Sequence, residues 1–186
     1  MTSNKIDAEN KTVNGLKHGQ WVEYYKYSRN GVEHTTDTDA PLYRITLYNL
    51  GKPIGITRGF YKNGKIESEM PYLNGKLNGV TKGFYENGNI AGEITYKDGI
   101  FNGPQKQYYH SGKLKSEDSF INGQLNGTTK IYYESGGLQL ETSFNNGARE
   151  SFKSYYENGK LKNEITYKNG VKDKSINYDE SGNEIK

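Results

Sequence analysis

The amino-acid sequence predicts an all-β fold, an elongated single-layer antiparallel meander of repeated β-hairpins with about 13 strands. The first observation is a glycine that returns every 24 residues over most of the chain. The second is the dipeptide Asn-Gly, which occurs twelve times and favours tight hairpin turns because both residues tolerate a positive φ. The third is that the runs between turns are rich in Tyr, Phe, Ile and Thr, which suit a pleated sheet.

The repeat has two glycine rows with an aromatic pair between them. The first row consists of Gly51, Gly75, Gly99, Gly123, Gly147 and Gly170, and the second of Gly64, Gly88, Gly112, Gly136, Gly159 and Gly182. The pairs are Phe60-Tyr61, Phe84-Tyr85, Tyr108-Tyr109, Tyr132-Tyr133 and Tyr155-Tyr156. An earlier copy, NGLKHGQWVEYY, begins at Asn14 and is followed by an insertion at about 33–42. We therefore expect an N-terminal tail over residues 1–13 and one repeat domain over residues 14–186.

The turns also predict which residues face each other. If Asn87-Gly88 is a two-residue turn, Lys82 lies directly opposite Glu93 in the hairpin. The same rule gives four further pairs of opposite charge, Arg58 with Glu69, Lys106 with Glu117, Lys130 with Glu141 and Lys153 with Glu164. Such pairs fix the strand register, and they also keep the sheet soluble. A charged recognition stripe is the alternative interpretation.

The change from a 24-residue to a 23-residue spacing predicts irregular strands near the C-terminal end. Losing one residue inverts the in-and-out alternation of a strand, so an extra bulged residue is needed to restore it. We expect one β-bulge within Ala148–Lys153 and another after Gly170. At the turn Asp98-Gly99 the alternation is preserved, and no slip is expected.

Alternation also sorts the side chains onto two faces of the sheet. The face that carries the second aromatic of each pair, here called the packing face, also receives Ile66, Ile90, Leu114, Leu138 and Leu161. The opposite face carries the first aromatic among the Lys–Glu pairs and is called the charged face. Exposed aromatics are typical of protein interfaces, although they also stiffen a sheet. The candidate partner-binding residues are Trp21, Phe60, Phe84, Tyr108, Tyr132 and Tyr155.

Composition excludes several classes of protein. The net charge is only +3 and no basic block is present, which gives no case for nucleic-acid binding. The absence of cysteine excludes disulfides and thiolate metal sites. The start, MTSNKIDAEN, lacks the apolar segment of a secretory signal, and no apolar run approaches the roughly 20 residues of a membrane span. We therefore expect a cytoplasmic protein without a membrane span.

No arrangement of residues predicts catalysis. His18, His34 and His110 lie in separate contexts without the spacing of metal ligands. The repeated glutamates already face lysine or arginine, which argues against a glycosidase pair. The acidic stretch Asp37–Asp39 lacks the glycine and terminal glutamate of a calcium-binding loop. We expect no enzyme activity, no metal and no cofactor.

The repeats resemble a known family. NGKLNGVTKGFYENGNIAGEITYKDG and NGQLNGTTKIYYESGGLQLETSFNNG are similar to the bacterial variant of the MORN repeat. The opening NGLKHGQWVEYY and the later PLYRITLYNLGKPIGITRGFYKNGKI resemble the start of YwqK-type bacterial antitoxins, and the similarity covers about residues 14–186. The resemblance implies a sheet of hairpins with a non-catalytic role, and the binding and neutralisation of a partner toxin. The last two repeats depart from the pattern, with Glu150 and Asp173 where Gly127 aligns.

The leading functional hypothesis is therefore a protein-binding antitoxin or immunity protein. A cell-wall protein that binds carbohydrate or choline is an alternative, but choline-binding repeats need several tryptophans and this chain has only Trp21. A structural or membrane-associated scaffold is another, although the balanced charge gives little attraction to anionic lipid. Exposed sheet edges would also allow edge-to-edge self-association of two copies.

Overall fold

The computed structural model describes residues 10–29 and 31–185, and within these residues all regular structure is β-strand. The described residues contain eighteen strands arranged as consecutive antiparallel hairpins, which confirms the predicted meander. The strand count exceeds the predicted 13 because bulges divide some strands and because short strands flank the repeats. The chain forms two compact units, the first with residues up to Ile90 together with Tyr96–Gly99, and the second with Ala91–Thr95 and residues from Ile100 onward.

The first compact unit contains the early repeats and the insertion. Its strands are β1 (Lys11–Val13), β2 (Leu16–Ser28), β3 (Gly31–Thr35), β4 (Leu42–Asn49), β5 (Lys52–Tyr61), β6 (Ile66–Leu73), β7 (Lys76–Leu77) and β8 (Gly79–Phe84). Strand β1 pairs with the start of β2, so regular pairing begins before the predicted boundary at residue 14. The rest of the predicted tail, residues 1–9, lies outside the described residues. The insertion forms β3 and the loop to β4, and β3 pairs with the second half of β2.

The second compact unit contains the later repeats. Strand β9 (Ile90–Lys97) contributes residues to both units. The following strands are β10 (Ile100–Tyr108), β11 (Leu114–Ile121), β12 (Gln124–Leu125), β13 (Gly127–Tyr132), β14 (Leu138–Asn145), β15 (Ala148–Tyr155), β16 (Leu161–Lys168), β17 (Val171–Tyr178) and β18 (Glu184–Ile185). The single repeat domain over residues 14–186 stays a prediction.

The repeat uses two different turns. At the first glycine row both central residues have a positive φ, for example Asn74 at 53° and Gly75 at 81°, which is the two-residue type I′ turn. At the second row only the glycine has a positive φ. There the N–H of Gly88 donates to the carbonyl of Tyr85 (2.8 Å), and the N–H of Tyr85 donates to the carbonyl of Asn89 (2.8 Å). This is a three-residue loop with a left-handed glycine, so the predicted two-residue turn at Asn87-Gly88 is wrong.

A bulge beside this longer loop restores the predicted register. In the β5–β6 hairpin, Phe60 lies opposite Ile66 and Gly59 lies opposite Ser68, which leaves Glu67 as an extra residue. One residue of the first strand joins the loop and one residue of the second becomes the bulge, so the two offsets cancel. Arg58 consequently faces Glu69 as predicted. The pairs Lys106–Glu117, Lys130–Glu141 and Lys153–Glu164 are also confirmed, whereas Lys82–Glu93, with one residue in each compact unit, stays a prediction.

The same bulge corrects the predicted faces. Leu114, Leu138 and Leu161 lie opposite the first aromatic of their repeats, as Ile66 lies opposite Phe60, and not beside the second aromatic as predicted. In two of these repeats the residue after the aliphatic turns instead toward the second aromatic. The ammonium of Lys115 lies 5.8 Å from the ring of Tyr109, and that of Lys162 lies 5.3 Å from the ring of Tyr156.

A second bulge follows the type I′ turns and depends on repeat length. In β4–β5, Leu47 faces Ile54 but Ile45 faces Arg58, so β5 contains two extra residues, and Gly55 there has φ 68°. Equivalent two-residue slips occur at Gly79 and Gly127, and they were not predicted. In the 23-residue repeats only one residue is extra, Glu150 in β15 and Asp173 in β17, which confirms both predicted bulges.

Few apolar side chains are buried in the described part of the chain. Val22, Ile45 and Phe60 form a small cluster in the first compact unit, and Tyr24 and Tyr43 pack against it. Directly opposed residues of antiparallel strands point to the same face. The pairing of Val22 with Ile45, and of Ile45 with Arg58, therefore places this cluster on the charged face.

We expect Gly79→Ala to lower the free energy of unfolding by about 1–2 kcal/mol, because Gly79 has φ 109° and an added Cβ would lie 3.2 Å from Pro71 Cγ. Urea unfolding would measure this change. Gly83→Ala is the matched control, since an added Cβ there meets no atom within 4 Å, and it should change stability by less than about 0.5 kcal/mol. Equal effects of both substitutions would show that neither the positive φ of Gly79 nor its approach to Pro71 matters for stability.

Candidate functional site

The second aromatic of the repeat has a structural role. In four repeats its hydroxyl donates a hydrogen bond to the backbone carbonyl of the first aromatic in the following repeat. These bonds join Tyr61 to Phe84 (2.6 Å), Tyr109 to Tyr132 (2.6 Å), Tyr133 to Tyr155 (2.7 Å) and Tyr156 to Tyr178 (2.8 Å). Lysines of the loops add similar bonds between repeats. The ammonium of Lys113, for example, donates to the carbonyl of Glu134 at 2.9 Å. Neighbouring repeats are thus joined through side chain-to-backbone hydrogen bonds.

The first aromatics of the later repeats are held by glutamate. The hydroxyl of Tyr108 donates to a carboxylate oxygen of Glu93, and that of Tyr132 to Glu117, both at 2.9 Å. Burial, followed by the hydrogen bond to Glu117 and the charge of that carboxylate, raises the pKa of Tyr132 to about 12. Burial and Glu93 likewise raise the pKa of Tyr108. These tyrosines stay neutral and engaged with their own sheet over the ordinary pH range.

Charges on the charged face of the second compact unit form a matched row. Six strands, β10, β11 and β13 to β16, contribute one residue each, and the register places cation and anion alternately in the order Lys106, Glu117, Lys130, Glu141, Lys153 and Glu164. Every carboxylate inside this row has a lysine opposite it in a neighbouring strand. The row therefore offers a partner no excess charge, as expected if the pairs fix the register.

The first compact unit breaks this pattern. Aligning NGLKHGQWVEYY with NGKLNGVTKGFY places Val22 at the position of Lys82 and Tyr24 at the position of Phe84. Ile45 stands 24 residues before Glu69 and takes the place of the glutamate. Val22 and Ile45 oppose each other in β2 and β4, so an apolar pair replaces an ion pair.

An apolar cavity of about 270 Å³ opens beside this pair. Ile45 and Phe60 are buried, with exposed fractions of 6% and 5%, whereas Leu47 and Ile56 remain 46% and 49% exposed. Ile56 lies in the two-residue bulge between Ile54 and Arg58, which brings its side chain to the edge of the cavity. Gln20 and Arg58 complete the lining. One later repeat has Ser119 and Thr128 where Leu47 and Ile56 stand, so the equivalent positions there are polar.

The structure separates the six predicted partner-binding residues. Phe60 is buried and stacks on Tyr43 with ring centroids 4.9 Å apart, so it helps to form the cavity but exposes little surface to a partner. Trp21 lies opposite Thr46 and thus on the packing face, away from Phe60. Its Nε1–H donates to the carbonyl of Lys11 at 3.0 Å. The other four aromatics are half-buried, and their contact with a partner stays a prediction: Phe84, Tyr108, Tyr132 and Tyr155.

Sequence reasoning missed Tyr24, Ile45, Leu47 and Ile56. The 24-residue spacing between Ile45 and Glu69 would have revealed that the first repeat lacks its glutamate. Aligning NGLKHGQWVEYY with NGKLNGVTKGFY would have revealed Tyr24, because this alignment places Tyr24, and not Trp21, at the position of the first aromatic. The insertion hid this alignment because it separates the two halves of the first repeat.

Neither a metal-binding cluster nor a membrane-spanning helix is present among the described residues. No group of three or more His, Asp or Glu side chains lies close enough together there to hold a metal ion. The carboxylate of Asp37 accepts a hydrogen bond from the backbone N–H of Asp39 at 2.9 Å, as in an ordinary Asx turn. No helix of residues 10–29 and 31–185 is long and apolar enough to cross a membrane.

Fold and repeated contacts define an all-β repeat protein whose short units depend on their neighbours. The MORN repeat variant family matches residues 53–74, 77–98, 101–122, 125–146 and 151–169. The chain belongs to this family. No match to a curated protein is found.

We expect Tyr109→Phe to lower the free energy of unfolding by about 1 kcal/mol, because it removes the hydroxyl that reaches the carbonyl of Tyr132. The shift of the urea midpoint measures this loss. Tyr27→Phe removes a hydroxyl from a ring that is 63% exposed and should leave the midpoint unchanged. A Tyr109→Phe protein as stable as the wild type would show that the bond between repeats contributes nothing.

A second prediction concerns Tyr132 and pH. Glu117→Gln should lower its pKa from about 12, since the substitution removes the carboxylate charge that disfavours the phenolate. Tyrosine in an unfolded chain titrates near 10. The stabilising effect of the raised pKa is thus complete below pH 10 and is lost as the pH rises toward 12.

NMR titration of ring-labelled tyrosine would measure the pKa directly. Glu157→Gln, at an exposed position of the same compact unit, is the control and should leave the pKa of Tyr132 unchanged. An unchanged pKa in Glu117→Gln would rule out the carboxylate as a cause of the shift.

Proposed function

We propose that this chain is a non-catalytic protein-binding repeat protein, and that it is the antitoxin of a bacterial pair which binds and neutralises a partner toxin in the cytoplasm. A non-catalytic role, often in binding, is typical of the MORN repeat family. The antitoxin role is supported by the resemblance of residues 14–186 to YwqK-type antitoxins. Neutralisation would require only that a surface of the toxin be covered.

The observation that carries the proposal is the apolar cavity of the first compact unit. Residues that dominate protein interfaces fill well-packed pockets near the centre of the contact. Leu47 and Ile56 offer exposed aliphatic surface at the edge, and the buried Ile45 and Phe60 give the cavity an apolar base. Its volume of about 270 Å³ is small for a cofactor site and suits one anchoring side chain of a partner.

The alternatives have less support. A choline site needs an open aromatic box, but the ammonium of Lys17 already lies 4.8 Å from the ring of Trp21 and 5.0 Å from that of Tyr48. A scaffold that joins copies edge to edge would use the first residues of β17, because β18 pairs only with Asn177 and Tyr178, and Lys172, Asp173 and Lys174 there are all exposed. Charged side chains on an edge strand oppose such pairing.

We expect Leu47→Glu combined with Ile56→Glu to abolish neutralisation, because two buried carboxylates would replace apolar contacts at the interface. The candidate partner to be tested is the product of the gene adjacent to that of this protein. Growth of cells expressing this product, with and without the chain, measures rescue, and a pull-down measures binding. Affinity should fall at least a hundredfold in the double variant.

Leu73→Glu is the control, since this leucine of the same compact unit is 57% exposed and lies outside the cavity. It should bind and rescue as the wild type does. Absence of binding and rescue with the unmodified chain would refute the antitoxin role. Full binding by the double variant would leave that role intact but exclude the cavity as the interface.

A further inference from the structure

A second, polar cavity lies on the packing face of the first compact unit. Its volume is about 90 Å³, and Glu23, Tyr25, Arg44, Tyr48 and Thr57 are among its lining residues. Pairing of Glu23 with Arg44 places both side chains on the same face, opposite to the apolar cavity. The available volume admits a group of a few non-hydrogen atoms and is too small for the ligands of ordinary pockets, which occupy about 300–1,000 Å³.

One buried hydroxyl in this polar cavity lacks a partner. Thr57 is only 3% exposed, and its Oγ1 has no hydrogen-bond partner among the described residues. Buried polar groups in folded proteins are nearly always satisfied, so an unpaired hydroxyl in a cavity indicates a missing partner.

The repeat itself shows which group can satisfy this hydroxyl. Thr129 stands 72 residues after Thr57, at the same position of a later repeat, and its Oγ1 donates to a carboxylate oxygen of Asp118 at 2.6 Å. The residue 72 positions before Asp118 is Thr46, which also lines the polar cavity. The first compact unit therefore has a threonine where the later repeat supplies its own carboxylate.

Charges in the polar cavity also favour an anion. Glu23 is engaged by the ammonium of Lys17 and by the hydroxyl of Tyr48, which donates to it at 3.3 Å. Arg44 lies 4.8 Å over the ring of Tyr25, and no carboxylate within 4 Å of it is found in the described part of the chain. Lys17, Glu23 and Arg44 together leave an excess of one positive charge.

The tyrosines of the cavity are donors. Burial, followed by the charge of Glu23, raises the pKa of Tyr25, and the same causes with the hydrogen bond to Glu23 raise that of Tyr48 to about 12. Both hydroxyls keep their protons at neutral pH. The hydroxyls of Tyr25 and Thr57 and the guanidinium of Arg44 thus offer donors in the lining, which complement a carboxylate.

We propose that this polar cavity binds a single carboxylate group, held by the guanidinium of Arg44 and the hydroxyl of Thr57. Two sources present this chemistry, a free small carboxylate and an acidic side chain of a bound protein. The site lies on the other face from the apolar cavity and is tested on the purified chain. Its failure therefore leaves the proposed antitoxin role untouched, and failure of that role leaves this site untouched.

The test is an NMR titration of the purified full chain with sodium acetate, against sodium chloride at equal ionic strength. We expect a saturable shift of the Arg44 Nε–H signal with acetate alone. In Arg44→Gln and Thr57→Val, acetate affinity, followed through backbone amide signals of the cavity, should fall about tenfold. Thr46→Asp should abolish acetate binding, because it supplies the carboxylate that Asp118 provides in the later repeat.

Arg29→Gln removes an exposed arginine of the same compact unit outside the cavity and should leave acetate binding unchanged. Thermal unfolding of each variant shows whether it is folded. If Thr57→Val does not fold, the loss of acetate binding in Thr46→Asp still tests the proposal. Tighter binding of N-acetylglutamate methylamide than of acetate would identify an acidic side chain as the source, and the reverse order a free carboxylate. Equal shifts with acetate and chloride, or acetate binding that survives in Thr46→Asp, would overturn the proposal.

Discussion

The hydroxyl of a tyrosine in one repeat donates to the backbone carbonyl that precedes the turn of the next, and the regularity of the repeats depends on this bond. A sheet that buries so few apolar side chains gains little from the hydrophobic effect. Hydrogen bonds between adjacent repeats, such as that of Tyr109 to Tyr132, must then supply much of the order. The aromatic pair serves both faces, since its second member joins repeats and its first packs beside the charged row.

The sequence predicted the register of the ion pairs correctly, although the turn type from which it was derived was wrong. Asn-Gly occurs in two settings, and only the flanking hydrogen bonds decide whether both residues or the glycine alone adopt a positive φ. A loop that is one residue too long and a bulge that takes one residue cancel, so Arg58 still meets Glu69. The wrong turn affects only the residues next to it: Ile66 lies opposite Phe60, whereas a two-residue turn would place it opposite Tyr61.

Bulges were predictable only when they changed parity. Removing one residue inverts the alternation of a strand, and so the 23-residue spacing indicated the bulges at Glu150 and Asp173. Two-residue bulges at Gly55, Gly79 and Gly127 preserve alternation and leave no trace in the hydrophobic pattern. Their only signal is a glycine in a strand, which marks a backbone conformation that other residues rarely adopt.

Sites in a repeat protein are more informative where the repeat fails than where it holds. In the later repeats Glu117 has Lys106 and Lys130 opposite it and accepts the hydroxyl of Tyr132, so its hydrogen-bonding and charge requirements are met within the sheet. Residues of the first compact unit do not inherit these partners. Ile45 stands where later repeats have glutamate and leaves apolar surface on one face, while Thr46 stands where one later repeat has Asp118, and Thr57 is unpaired on the other face. Two adjacent residues of one strand, Ile45 and Thr46, thus give the two faces of the sheet different properties. One face has an exposed apolar surface, and the other has an unpaired hydroxyl.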